Sequence, residues 1–168
     1  HNAACAAAGI DAVYLPFLVP KGHLGDVLKN SKRWPLAGLS VTIPHKENVV
    51  GFASSQGDLV EEIGAANTIS FDGETRAMKV FNTDVTAAVA AIQASLAAQE
   101  VGFGGRLGLK TVLILGAGGA ARAIAFGLRQ QGVEVTIASR TVGRSHTLAE
   151  LVNGKVVEWS GRHRLPYD

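Results

Sequence analysis

The sequence predicts an α/β protein in two lobes, and three observations carry that expectation. Short apolar runs alternate with helix-type segments along the 168 residues, the pattern of layered strands and helices with parallel pairing. A glycine-dense break, "GFGGRLG" from Gly102 to Gly108, interrupts the alternation with the composition of a linker. Beyond it, "KTVLILGAGGAARAIAFGLRQQGVEVTIASRT" runs strand, glycine turn, helix, glycine, strand. The division is expected near residue 105, giving lobes 1–104 and 105–168.

Each element has its own signal. Asn2 to Ala8 is alanine-rich and stops at Gly9, a helix with its C-terminal glycine. "AVYLPFLV", residues 12–19, is rich in β-branched and aromatic residues and is expected as a buried strand. "LGDVLKNSKRW" has helical spacing and is closed off by Pro35 and Gly38. The strand "LSVTI", Leu39 to Ile43, follows and breaks at Pro44. A further helix is expected around Asp58 to Ile63, and "ANTISFDGETRAMKVFNTD" reads as a hairpin turning at Asp72 and Gly73. From Thr86 to Gln99 the residues are almost all Ala, Val, Ile, Leu and Gln, a helix. There is no internal repeat and no low-complexity tract.

Composition narrows the function. A hydrophobic content of 47%, 18% charge and a mean hydropathy of +0.20 fit a globular chain and exclude a disordered one. A net charge of +2 is too mild to imply a nucleic-acid or membrane-surface partner. The aromatics are not interleaved with basic residues, so no base-stacking platform is expected. No apolar run reaches the roughly 20 residues that cross a bilayer. Cys5 is the one cysteine, so no internal disulfide can form, which fits a reducing, cytoplasmic compartment. His1, His23, His45, His146 and His163 lack the spacing of a zinc site, and no metal is expected.

The strand Thr111 to Leu115 leads straight into Gly116, Ala117, Gly118, Gly119, Ala120 and Ala121, which open a helix. In that context G-x-G-x-x-A is the fingerprint of a Rossmann-type dinucleotide site. Gly116 makes the tight turn, Gly118 lets backbone approach a pyrophosphate, and Ala121 lets helix and strand pack closely. The helix N-terminus offers N–H groups and a positive dipole end to the phosphates. At the end of the next strand an NAD site usually carries an acid for the ribose 2′-hydroxyl. Here stand Ser139, Arg140 and Thr141, with Arg144 one turn on. A carboxylate would repel a 2′-phosphate, whereas guanidinium and hydroxyl groups bind one. The expected cofactor is NADP.

"GLSVTIPHK", "GAANTI", "NTD" and "LGAGGAARA…SRT" occur in the order and approximate spacing of the shikimate dehydrogenase family, which the chain resembles. The resemblance implies reduction of 3-dehydroshikimate to shikimate with NADPH in a cleft between a substrate domain and a cofactor domain. It matches Lys46 and Asp84 to the catalytic pair, and Ser40, Thr42 and Asn67 to substrate-contacting positions. Ser stands at 40 where the family commonly has Asn, as in members fused to a dehydroquinate dehydratase. Val80 and Val85 replace the glycines that usually flank "NTD". The resemblance further implies a piece lacking both ends. The serine pair for the substrate carboxylate would precede His1, and a Tyr and a Gln completing the sites would follow Asp168, which leaves the activity of the piece alone open. A monomer or homodimer is expected, alone or fused to the dehydratase. Two other readings stand beside this one: a quinate/shikimate dehydrogenase, and a non-catalytic nucleotide-binding module.

Overall fold

A computed structural model describes residues 1–31, 33–99 and 107–164. The chain opens with helix α1, Asn2–Ala7, and turns at Gly9 with a φ of 65°, as the alanine run and its glycine predict. The expected strand at 12–19 is not there. Residues 10–20 carry no regular structure, and Val13, Leu15 and Leu18 are exposed, Leu18 at 95%. β-propensity expresses itself through cross-strand partners, and this segment pairs with no strand among the described residues. The Asn2 side chain instead accepts from Tyr14 N–H at 2.6 Å and donates to its carbonyl at 3.0 Å. Pro16 and Pro20 have no N–H to offer a ladder.

Helix α2, Leu24–Ser31, turns Leu24, Leu28 and Ser31 inward, and the Ser31 hydroxyl donates to Leu28 O at 2.8 Å. Four short strands form the sheet of the first lobe: β1 Gly38–Ser40, β2 Ser55–Gln56, β3 Thr68–Phe71 and β4 Met78–Phe81. Their order is β1-β3-β4-β2, and only the β2–β4 pair is parallel. The antiparallel β3–β4 pair is the expected hairpin, closed by a short local turn, and β1 joins it antiparallel rather than in the parallel pairing that the alternation suggests. In that turn the Asp72 carboxylate accepts from the N–H and hydroxyl of Thr75 and from Glu74 N–H, which hold its carboxyl below the usual range. Leu28, Val49, Val60, Ile69 and Val80 fill the core of this lobe.

Between β2 and β3 lies α3, Val60–Ile63, a single turn ended by Gly64 at φ 66°. Helix α4, Asp84–Gln99, matches the expected helix and starts two residues earlier. The predicted break at 102–108 falls outside the described residues except for Leu107 and Gly108, which open a 3₁₀ turn, Leu107–Leu109. The 104/105 boundary likewise lies outside them.

The second lobe is β5 Thr111–Leu115, α5 Gly119–Gln130, β6 Glu134–Ala138, α6 Val142–Val152 and β7 Lys155–Val156. Its strands are parallel in the order β5-β6-β7, the pairing that helical crossovers impose. Ile114, Leu128, Val135, Ile137 and Leu148 form its core.

The lobes meet along helices. A small apolar cluster of Ile63, Ala65, Val85 and Ala123 sits between α3, α4 and α5. A Cβ at Gly127 would come within 2.9 Å of both Val85 Cγ1 and Val89 Cγ2, so α4 and α5 touch almost backbone to side chain. Arg122 of α5 donates from Nε to Ile63 O at 2.7 Å, closing the end of α3. No helix of the described residues is long and apolar enough to cross a membrane.

The irregular 12–19 segment gives a contrast that equilibrium denaturation can read. Leu18→Lys should leave stability within about 0.5 kcal/mol, as for an exposed position. Ile69→Ala, at a site 1% exposed, should lose about 2–5 kcal/mol. A comparable loss at Leu18 would mean that the segment is buried as a strand after all.

Candidate active site

The stretch after β1 delivers Lys46. Val41 N–H still reaches Asn67 O at 2.6 Å, but the ladder ends at Ser40, three residues short of the expected strand end at Ile43. Its partner β3 begins at Thr68, and Pro44 has no N–H to extend the pairing. The Ile43–Pro44 bond is cis. His45 then turns inward, 6% exposed, with its N–H on Thr42 O at 2.9 Å and Nε2 at 2.7 Å from Val19 O. That buried ring fixes the residue before Lys46, and Ala66 N–H binds Lys46 O at 2.8 Å behind it.

Asp84 comes from the first turn of α4, a favourable place for a carboxylate because the helix N-terminus is positive. Asn82 sets that turn: its Oδ1 accepts from Asp84 N–H at 3.0 Å and its Nδ2 donates to Ala65 O at 2.9 Å. Lys46 Nζ donates to Asp84 Oδ2 at 2.5 Å. Asn67 Nδ2 donates to Asp84 Oδ1 at 2.8 Å, while Asn67 Oδ1 accepts from Thr83 N–H at 3.0 Å and from the Thr68 hydroxyl at 2.9 Å. Both carboxylate oxygens are thus held, and the amide that holds one is itself locked. The Lys46 and Asp84 side chains are 17% and 26% exposed, sheltered yet reachable. Residues 38 apart in sequence form one hydrogen-bonded unit.

Ser40 and Thr42 are brought to the same edge, Ser40 opposite Thr68 in the β1–β3 register. Both are exposed, and neither side chain makes a hydrogen bond among the described residues. Their hydroxyls are available to a ligand.

Across from Lys46 lies the glycine turn. Gly116 has a φ of 118°, a conformation that favours glycine, and its N–H binds Ala138 O at 2.8 Å. Gly118 stands at the N-cap of α5 without a side-chain cap. Arg122 N–H is the first in the helix to find an acceptor, Gly118 O at 2.9 Å, so the earlier N–H groups are those a helix leaves open. A Cβ at Gly116 or at Gly118 would meet nothing within 4 Å. That open space beside unpaired N–H groups fits a pyrophosphate. Gly119 is glycine for another reason: a Cβ there would lie 2.6 Å from Lys46 Cβ and 3.5 Å from Ala65 Cβ. Ala117 is buried, Ala121 is half-buried against the second core, and Ala120 is exposed.

At the end of β6, Ser139 Oγ accepts from Thr141 N–H at 3.3 Å, and Thr141 is the N-cap of α6. Arg140 is exposed and makes no hydrogen bond or ion pair among the described residues. Arg144 is different. Its Nε donates to Ala117 O at 3.2 Å and its Nη2 pairs with Glu47 Oε1. Sequence reasoning missed Glu47 and Arg122. Glu47 had one signal, a charge directly after Lys46, but nothing in the sequence told that it reaches a residue 97 positions away.

Residues 1–69 match the shikimate dehydrogenase substrate binding domain, and residues 95–163 match the shikimate/quinate 5-dehydrogenase domain. The chain belongs to the shikimate dehydrogenase family. Among the family, the NADP(+) shikimate dehydrogenase of Methanocella arvoryzae is 41% identical over 149 residues, 89% of this chain and 51% of the relative. The crystal structure of the Aquifex aeolicus shikimate dehydrogenase superposes with a TM-score of 0.80 at 31% identity, over 93% of this chain and 55% of that one. The Thermus thermophilus enzyme, solved with NADP(H) and shikimate, gives 0.75 at 32% identity, over 92% and 54%. The chain spans about half the length of the curated relatives it matches. The substrate-binding and partial cofactor-binding halves of the family's α/β fold are both present.

The two glycines of the turn separate close packing from open space. Gly119→Val should lower stability in urea by about 1–3 kcal/mol, the range for overpacking. Gly118→Ala should stay within about 0.5 kcal/mol. Equal tolerance at both positions would show that Lys46 does not lie against α5.

Proposed function

We propose that the chain forms the catalytic and nucleotide-facing part of an NADP-dependent shikimate dehydrogenase, which reduces 3-dehydroshikimate to shikimate in the shikimate pathway. The observation that carries this reading is the Lys46–Asp84–Asn67 unit, with Lys46 packed against the first residue of α5. A nucleotide-binding module without chemistry has no use for a sheltered ammonium–carboxylate pair beside its glycine turn. The ligands of the Thermus relative, NADP(H) and shikimate, support the same substrate and cofactor. Residues 1–104 would form the substrate domain and 105–168 the first part of the cofactor domain.

Bound NADPH would supply a hydride to the ketone carbon. As that carbon is reduced, negative charge collects on its oxygen and must be stabilised and protonated. The Lys46 ammonium does both, placing its charge beside the oxygen and giving it a proton. Asp84 orients the ammonium through Oδ2 and, being reachable from solvent, can relay a proton from water back to the amine. Asn67 keeps the carboxylate from swinging away. The free hydroxyls of Ser40 and Thr42 suit a polyhydroxylated ring. Gly116, Ala117, Gly118, Gly119, Ala120 and Ala121 would hold the pyrophosphate against the start of α5. Ser139, Arg140, Thr141 and Arg144 would hold the 2′-phosphate.

In the complete protein, Lys46→Ala should lower kcat for 3-dehydroshikimate by roughly 10²–10⁴-fold, the span for losing a positioned acid or base. KM should change far less, because the loss falls on the transition state. A near-normal kcat would remove Lys46 from the chemistry. The cofactor assignment has its own check by fluorescence titration. Arg140→Ala should weaken NADPH by about 1.5–3 kcal/mol, as for a charge-assisted hydrogen bond, and leave NADH nearly unchanged. Equal losses for both would overturn the 2′-phosphate role.

A further inference from the structure

Arg144 is held by two groups that have nothing to do with its own helix. Its Nε is on Ala117 O, inside the glycine turn, and its Nη2 is on Glu47 Oε1, next to Lys46. One guanidinium therefore ties the start of α6, the glycine turn and the Lys46 loop together. The pair is open to solvent, with side-chain exposures of 50% for Arg144 and 37% for Glu47. Ion pairs of that exposure are weak. A phosphate monoester carries about −1.5 to −2 charge at pH 7 and offers three acceptor oxygens, so it is the stronger partner for the same guanidinium.

We infer that Glu47 competes with the cofactor's 2′-phosphate for Arg144. Glu47 is thereby a specificity-determining residue, and the site that reads the 2′-phosphate is coupled to the loop that carries Lys46. The inference rests on the NADP reading given above. When a 2′-phosphate takes Arg144, the carboxylate of Glu47 is released and the tie between the lobes loosens at the Lys46 side. A ligand without that phosphate leaves the tie in place. By reciprocity, whatever breaks the tie must favour the 2′-phosphorylated ligand by the same factor. The tie sits beside the reacting groups, so phosphate binding is communicated over one residue, from Glu47 to Lys46.

The test is isothermal titration of the 168-residue chain with 2′,5′-ADP and with 5′-ADP. Glu47→Gln should tighten 2′,5′-ADP by about two- to five-fold, the fold-change equivalent of losing an exposed competing ion pair. It should leave 5′-ADP unchanged, and Glu47→Ala, which removes the side-chain acceptor altogether, should repeat the result. Arg144→Ala should weaken 2′,5′-ADP and abolish the effect of changing Glu47. Unequal affinity is the signature here, since a purely structural loss would move both ligands together. If Arg144→Ala weakens 2′,5′-ADP but both Glu47 variants bind it as the unaltered chain does, competition is overturned and the 2′-phosphate assignment stands. If the unaltered chain binds 2′,5′-ADP no better than 5′-ADP, the assignment itself falls and the competition falls with it.

Discussion

The ion pair between Lys46 and Asp84 organises the molecule because each partner belongs to a different structural unit. Lys46 rides on the loop after β1, strapped by Ala66 and by the buried His45, while Asp84 begins the long helix α4. Two charges at 17% and 26% exposure gain little from water, and an unpartnered one would be costly to shelter. The pairing thus needs loop and helix to meet in one geometry. Asn67 enforces it, because its amide nitrogen is on Asp84 and its oxygen is fixed by Thr83 and Thr68.

The second lobe is fitted to that unit at the level of single atoms. Gly119 leaves room for the Lys46 Cβ, Gly127 leaves room for Val85 and Val89, and Arg122 reaches over to the end of α3. These contacts hold the open N-terminus of α5 beside the ammonium. The proposed reduction would need such neighbours, since a hydride donor and a proton donor must reach opposite ends of one carbonyl. Close packing supplies the precision that flexible side chains could not.

Much of this was legible in the residues. The helices at 2–8 and 86–99, the 68–81 hairpin and the β5–α5–β6 unit follow from periodicity, glycine placement and turn residues. The segment at 12–19 was misread because β-branched and aromatic residues advertise burial, whereas a strand needs a partner. In the sheet of the first lobe the hairpin was legible from its turn, whereas the antiparallel pairing of β1 with β3 was not, because alternation suggests crossovers. In the candidate site, the fingerprint glycines were readable from their context between a strand and a helix. That Lys46, Asn67 and Asp84 share one network was not, since spacing along a chain carries no information about proximity in space. The purpose of Gly119 was hidden for the same reason: a missing side chain does not say what fills its place.

Gly127 shows how far from the chemistry such a constraint extends. It lies within α5, buried against α4, where its neighbours are Val85 and Val89. Yet the side chain pressed against it, Val85, is the next residue after Asp84. A larger residue at 127 would push on the first turn of α4 and swing the carboxylate away from its lysine. Such a lesion would disturb the Lys46–Asp84 pair without touching either residue, through geometry alone. The two valines and their glycine are fitted to one another, so the space at this crossing is set by the residue next to Asp84.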